Sequence, residues 1–204
     1  MDKRIKFLIS ILFILASLVF LNSVFADPAA LATGSTSVYK VTMNKFELDN
    51  GVGSTAVTAF EGTSSTLDIA SAPDTNTSVG NFMSGLVVPD GNYSRVKPTA
   101  SGTFTVAGSV SYLGTTYYTT STIGSGGGSL PSTVGPAQEC TITVTMGTVN
   151  WENLPSTVTV TDGTPNYRCR VKFNTSAALG LYDMGGHYEL MPQQPDTSMS
   201  LIPQ

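Results

Sequence analysis

The hydrophobic pattern changes character once along the chain. An apolar block from Phe7 to Phe20 gives way, from Ser37 onward, to short runs in which apolar and polar residues alternate. Alternation with a period of two predicts half-buried strands, whereas a long unbroken block predicts a helix in an apolar medium. The clearest run is Leu86 to Lys97. Pro89, Asp90 and Gly91 supply a turn, after which Tyr93 shares a strand face with Arg95 and Lys97, and Val96 shares the other with Ser94.

The same reading predicts a first strand over Ser37–Leu48. Tyr39, Val41 and Met43 lie on one phase and Phe46 and Leu48 on the other, so a bulge or break belongs near Asn44–Lys45. Asp49-Asn50-Gly51 is a hairpin turn that leads into a return strand over Thr55–Phe60. Ser65–Ala70 follows as a strand, then a polar loop with Pro73, Asp74 and Asn76, pinned by Phe82 and Leu86. Thr103–Tyr112 turns at Gly114 into a strand holding Tyr117 and Tyr118. Later strands fall at Thr141–Met146, Thr157–Thr161, Tyr167–Phe173, Leu179–Tyr182 and His187–Leu190. The expected fold is all-β, an antiparallel β-sandwich preceded by an N-terminal signal-peptide helix.

Composition adds boundaries. Gly124-Ser125-Gly126-Gly127-Gly128-Ser129 has the makeup of a flexible linker or mobile loop. It separates a β-sandwich core over 27–123 from further strands over 130–191, in the same sandwich or in a small second β-domain. Residues 192–204 form an extended tail, as an edge strand or an arm. The pentapeptide Leu-Pro-Ser-Thr-Val occurs at 130–134 and again at 154–158, which suggests a repeated strand entry.

The amino-terminal block carries Lys3, Arg4 and Lys6 before it and Val24-Phe25-Ala26 after it, the layout of a secretory signal cleaved after Ala26. A retained membrane anchor is the competing reading. Export places the protein outside the cell, on its surface or in the periplasm, with membrane contact only through the signal during export. Removal of residues 1–26 leaves seven basic and thirteen acidic residues, a net charge of about −6. That charge disfavours nucleic-acid partners.

Cys140 and Cys169 are the two cysteines, and an even count in an exported chain predicts a disulfide worth roughly 3 to 4 kcal/mol. His187 is the lone histidine, so a two-histidine metal site cannot form within one chain. Its setting, Asp183, Gly185, Gly186 and Tyr188, reads as a turn rather than as part of a hydrolytic triad, and no Gly-x-Ser-x-Gly elbow is present. No residue pattern calls for a cofactor, no catalytic residue is assigned, and an enzyme is not expected. Trp151, Tyr112, Tyr117 and Tyr118 are a candidate sugar-stacking platform, against the alternative that they pack the core.

Two resemblances bear on the fold. The order Cys140, Trp151, Asp162, Tyr167-Arg168-Cys169 resembles the cysteine, tryptophan and tyrosine-corner pattern of immunoglobulin domains, but only about two strands fit between these cysteines where those domains have several. Val38-Tyr39-Lys40-Val41, Leu67-Asp68-Ile69 and Val88-Pro89-Asp90-Gly91-Asn92-Tyr93 leading into Arg95-Val96 resemble the transthyretin-like, carboxypeptidase-regulatory-like sandwiches of exported bacterial proteins. That resemblance spans residues 38–96 and implies a seven-stranded sandwich with a structural, adhesive or binding role. The expected function is a structural subunit or decoration of an extracellular assembly, self-associating or joining other surface proteins by strand addition. A glycan-binding module is the alternative.

Overall fold

The computed structural model describes residues 29–51, 53–71 and 88–204. The predicted signal segment 1–26 with its helix, and the loop anchors Phe82 and Leu86, lie outside the described residues. The described chain is all-β, with antiparallel ladders throughout and no α-helix among the described residues. Among them, no helix is long and apolar enough to cross a membrane.

In chain order the strands are β1 (Ala32–Gly34), β2 (Thr36–Val41), β3 (Met43–Asp49), β4 (Val57–Glu61), β5 (Leu67–Asp68), β6 (Gly91–Ala100), β7 (Thr103–Tyr112) and β8 (Thr115–Tyr118). They continue with β9 (Cys140–Thr143), β10 (Glu152–Thr161), β11 (Thr164–Pro165), β12 (Tyr167–Asn174), β13 (Leu179–Asp183), β14 (Tyr188–Pro192) and β15 (Asp196–Pro203). One sheet runs β11-β10-β6-β3-β4. A second runs β5-β2-β7-β8, with β9 also on β7. A third is β1-β13-β14, and β12 and β15 form a two-stranded ribbon.

The phase change predicted within Ser37–Leu48 is a sheet change. The chain leaves strand geometry at Thr42, so β2 pairs with β7 while β3 pairs with β4 and β6. Tyr39, Val41, Met43, Phe46 and Leu48 all reach the interior by this turn from one sheet to the other. The predicted Ser65–Ala70 strand shortens to β5. Asp68 Oδ1 accepts from the backbone N–H of Ala70 at 3.1 Å, and the chain closes into a 3-10 turn over Ile69–Ser71. A side chain that bonds its own backbone in this way competes with the ladder.

In β6 the alternation slips. Tyr93 and Val96 are both buried although they sit on opposite phases. The β10 partner jumps from Asn153 opposite Arg95 to Val158 opposite Tyr93. Leu154 to Thr157 bulge out of register there, and Pro155 has no N–H to give to a ladder. The second Leu-Pro-Ser-Thr-Val is thus a bulge inside a strand. The first is a loop whose Ser132 bridges to Tyr118, so the repeated pentapeptide serves two different structures.

Strands from either side of residues 124–129 share ladders, β9 with β7, β10 with β6 and β13 with β1. One buried cluster gathers Tyr39, Phe46, Val96, Phe104, Ile142, Val160, Leu181 and Leu190 from these sheets. Burial of that many large apolar side chains is the main favourable term for such a fold, at about 25 cal/mol per Å2 removed from water.

Candidate functional site

The predicted sugar platform does not gather at one place. Tyr112 and Tyr117 come together because the β7–β8 hairpin turns at Leu113-Gly114, both with positive φ, and pairs Tyr112 with Thr115 and Val110 with Tyr117. Tyr188 of β14 joins them edge-on, with ring centroids 6.3 Å from Tyr112 and 5.4 Å from Tyr117. Tyr118, on the other phase, packs toward Gly135, where an added Cβ would come within 3.2 Å of the ring. All three predicted tyrosines are half-buried. Trp151 belongs to a different cluster, with the Arg95 guanidinium 5.4 Å and the Lys97 ammonium 5.1 Å from its ring centre. Those cations hold the indole by cation–π attraction.

Arg95 and Lys97 are the centre of a cross-strand charge ladder. Register places Asp49 opposite Arg95 and Glu47 opposite Lys97 on β3. Arg95 donates to both Asp49 oxygens, Nε to Oδ1 at 3.1 Å and Nη2 to Oδ2 at 2.7 Å. Glu47 accepts from Lys97 at 2.9 Å and Lys45 at 3.1 Å. Asp49 also accepts from the N–H of Gly51, which fixes the hairpin turn. The Arg95 guanidinium holds the Asp49 carboxyl below its ordinary range against a smaller effect of burial. At Glu47 burial is the largest influence and pushes upward, but Lys97 and Lys45 together bring the net shift down. Arg95 and Lys97 are therefore engaged by carboxylates across the strand pair. They belong to a matched ladder under an aromatic lid.

The segment read as a flexible linker is held instead by a buried carboxylate. Glu189 of β14 is 0% exposed. Its Oε1 accepts from Gly126 N–H at 2.8 Å and contacts His187 Nε2 at 2.8 Å, and its Oε2 accepts from Gly128 N–H at 2.7 Å. Ser129 and Leu190 exchange backbone bonds at 2.9 Å in both directions, and Gly124 N–H closes the loop on Gly128 O at 2.8 Å. The glycines give room for the carboxylate: a Cβ on Gly124 would stand 2.1 Å from Glu189 Oε1, and one on Gly126 would stand 2.9 Å from Oε2. Burial pushes the Glu189 pKa up, but the N–H of Gly126, His187 and the N–H of Gly128 outweigh it and leave it lowered.

Ser125 Oγ also lies 3.5 Å from His187 Nε2. In a hydrolytic triad the acid and the nucleophile sit on opposite ring nitrogens, with free backbone donors for an oxyanion. Here serine and glutamate meet the same nitrogen, and the glycine N–H groups are already engaged by Glu189. The arrangement is a lock on the loop. Among the described residues no group of three or more His, Cys, Asp or Glu side chains is placed to hold a metal ion.

The expected Cys140–Cys169 disulfide is absent from the structure, where both cysteines are free and buried. Strand pairing sets Cys140 against Val106 of β7 and Cys169 against Leu201 of β15, so each thiol is packed within its own ladder. Burial pushes Cys169 up to about 12 and also raises Cys140, the direction expected for a thiol packed away from water.

Sequence reasoning singled out Arg95 and Lys97 without their partners, and missed Glu47, Asp49 and Glu189 as the buried charges. A signal for the ladder was present, since Glu47 and Asp49 on one strand match Arg95 and Lys97 on another at the same two-residue step. No comparable signal tied Glu189 to the glycines 61 and 63 positions earlier. No family model, curated protein or solved structure matches the chain.

Proposed function

We propose that the protein is a secreted or surface-exposed, non-enzymatic β-sandwich protein, transthyretin-like or immunoglobulin-like in its layering, that builds or decorates an extracellular assembly such as a fibre, pilus-like filament or envelope layer. The observation that carries this reading is the β12–β15 ribbon. Its eight paired positions run to Pro203, and among the described residues neither strand has a further ladder partner. Long unpaired edges recruit another strand unless they are covered or interrupted. At the other end of the described chain β1 is also an edge strand, paired with β13 alone. The engaged carboxylate and shared histidine nitrogen described above favour a structural over a hydrolytic role.

Electron microscopy of the native secreted material tests this directly. Filaments or sheets are expected, and deletion of 27–36 or of 192–204 is expected to abolish them. Unchanged assembly after both deletions would sink strand addition. Gathering of Tyr112, Tyr117 and Tyr188 favours one further reading, a neutral-glycan or adhesive surface on that cluster. A glycan array with Tyr117→Ala and Trp151→Ala separates the two, because a pure assembly subunit loses no glycan signal in either variant.

A further inference from the structure

We propose that Tyr117 and Tyr188 form an oxidative cross-linking site, where a peroxide-driven one-electron oxidant joins their rings as dityrosine and clamps the β7–β8 hairpin to β14. All eight tyrosines of the chain lie in the described residues. Tyr39, Tyr93 and Tyr182 are buried, and the hydroxyls of Tyr39 and Tyr93 donate to the carbonyls of Gln193 and Pro89 at 3.0 and 2.8 Å. The other five are half-buried and partly open to solvent. Of these, Tyr112, Tyr117 and Tyr188 meet ring to ring. Tyr188 contacts both of the others, and its ring is nearer to Tyr117, at 5.4 Å and 75°, than to Tyr112, at 6.3 Å and 77°.

Edge-on packing at that separation brings the rim of one ring against the other, and the rim carries the carbons ortho to the hydroxyl. Among the described residues no protein group bonds the hydroxyl of Tyr117 or Tyr188, so each phenol is free to give its proton to water. The oxidant takes one electron from each phenol as that proton leaves. The two radicals pair to form one carbon–carbon bond between ortho positions. Each ortho hydrogen then departs as a proton and a proton returns to the oxygen, which restores both phenols. One hydrogen peroxide accepts the two electrons and two protons and leaves as two waters. β8 pairs with β7 and β14 with β13, and no ladder joins β8 to β14. The bond closes a loop of about 70 residues, a restraint on the unfolded chain of the kind a disulfide supplies. Cys140 and Cys169, free and packed in separate ladders, supply no such tie. Because the bond lies within one chain, it stands apart from strand addition and from the glycan reading of the same rings.

The test treats the purified full chain, dilute enough to favour reaction within one molecule, with a haem peroxidase and hydrogen peroxide. Expected are the blue fluorescence of dityrosine, an intact mass lower by two hydrogen atoms and migration as a monomer under denaturing conditions. Digestion should yield a linked peptide pair that contains Tyr117 and Tyr188. The linked chain should also melt at a higher temperature than the untreated one. Tyr188→Phe keeps the ring and removes the phenol, so it should lose the fluorescence of the monomer band, while Tyr118→Phe and Tyr167→Phe keep it. The peptide map is made on the wild-type chain and does not depend on the folding of any variant. A bond mapped to another pair, dityrosine formed only between chains, wild-type yield in Tyr188→Phe, or an unchanged melting temperature would overturn the proposal. Oxygen uptake at methionine or Trp151 with no loss of hydrogen would overturn it too.

Discussion

Asp49 and Glu189 are both carboxylates withdrawn from solvent, at 5% and 0% exposure, yet different chemistry holds them. Asp49 faces a side-chain cation on a neighbouring strand, Arg95, which is partly exposed to water and lies over Trp151. Glu189 faces backbone N–H groups of Gly126 and Gly128 in the loop, with His187 as its side-chain partner among the described residues. The first arrangement relaxes when it is damaged. In the second, removing the acceptor strands buried donors, and unmade bonds of that kind cost far more than made ones return.

The same isosteric change made at both places is the sharpest way to break that comparison. Glu189→Gln swaps one accepting oxygen for an NH2 group that must face a glycine N–H or the histidine, so it is expected to cost about 2 to 4 kcal/mol. Asp49→Asn should cost about 1 kcal/mol or less, because Arg95 can turn toward solvent. Urea unfolding of both variants checks the difference, and equal losses would mean that backbone and side-chain partners are interchangeable here.

Next in size is the loop itself. Gly124→Ala places a Cβ 2.1 Å from Glu189 Oε1 and 2.9 Å from Leu130 Cδ2, so it is expected to destabilise by about 1 to 3 kcal/mol through overpacking. Gly127 has a φ of 90° but nothing within 4 Å of an added Cβ, so Gly127→Ala should cost about 1 kcal/mol, for backbone conformation alone. Thermal melts rank the pair. If neither glycine matters, the segment behaves as the loose linker its composition suggests and the cradle has no energetic meaning.

Strand existence was legible where turn chemistry and alternation agreed, as in the Asp49-Asn50-Gly51 hairpin and in the strand that follows Pro89-Asp90-Gly91. Sheet membership was not, because a break at Thr42 and a bulge at Leu154–Thr157 depend on which neighbour each half finds. The glycine segment misled for a physical reason. Glycine composition signals freedom when nothing lies close and close approach when something does, and the two differ only in tertiary contact. The cysteines misled similarly, since an even count speaks of opportunity and not of where the ladders put each thiol.

Acid separates the two carboxylate settings by their dependence on salt. Glu47, Asp49 and Glu189 all have folded-state values below their ordinary 4.5, 3.8 and 4.5. A depressed carboxyl stabilises the fold fully above its unfolded value, and that stability is lost as pH falls through the folded value. Stability should therefore be flat from neutral pH to about 5 on this ground and fall below about 4.5. Salt screens the charged partners of Glu47 and Asp49 but leaves the N–H groups of Gly126 and Gly128 in place. At high salt the part of the acid loss that remains should belong mainly to Glu189, and Glu189→Gln should remove most of it. The effect to be read is a fraction of a kcal/mol per pH unit, measurable as urea midpoints from pH 3 to 7 at low and high salt. If high salt flattens the wild-type profile as fully as Glu189→Gln does, then His187 and not the glycine backbone governs Glu189, and the contrast with Asp49 collapses to one between two ion pairs.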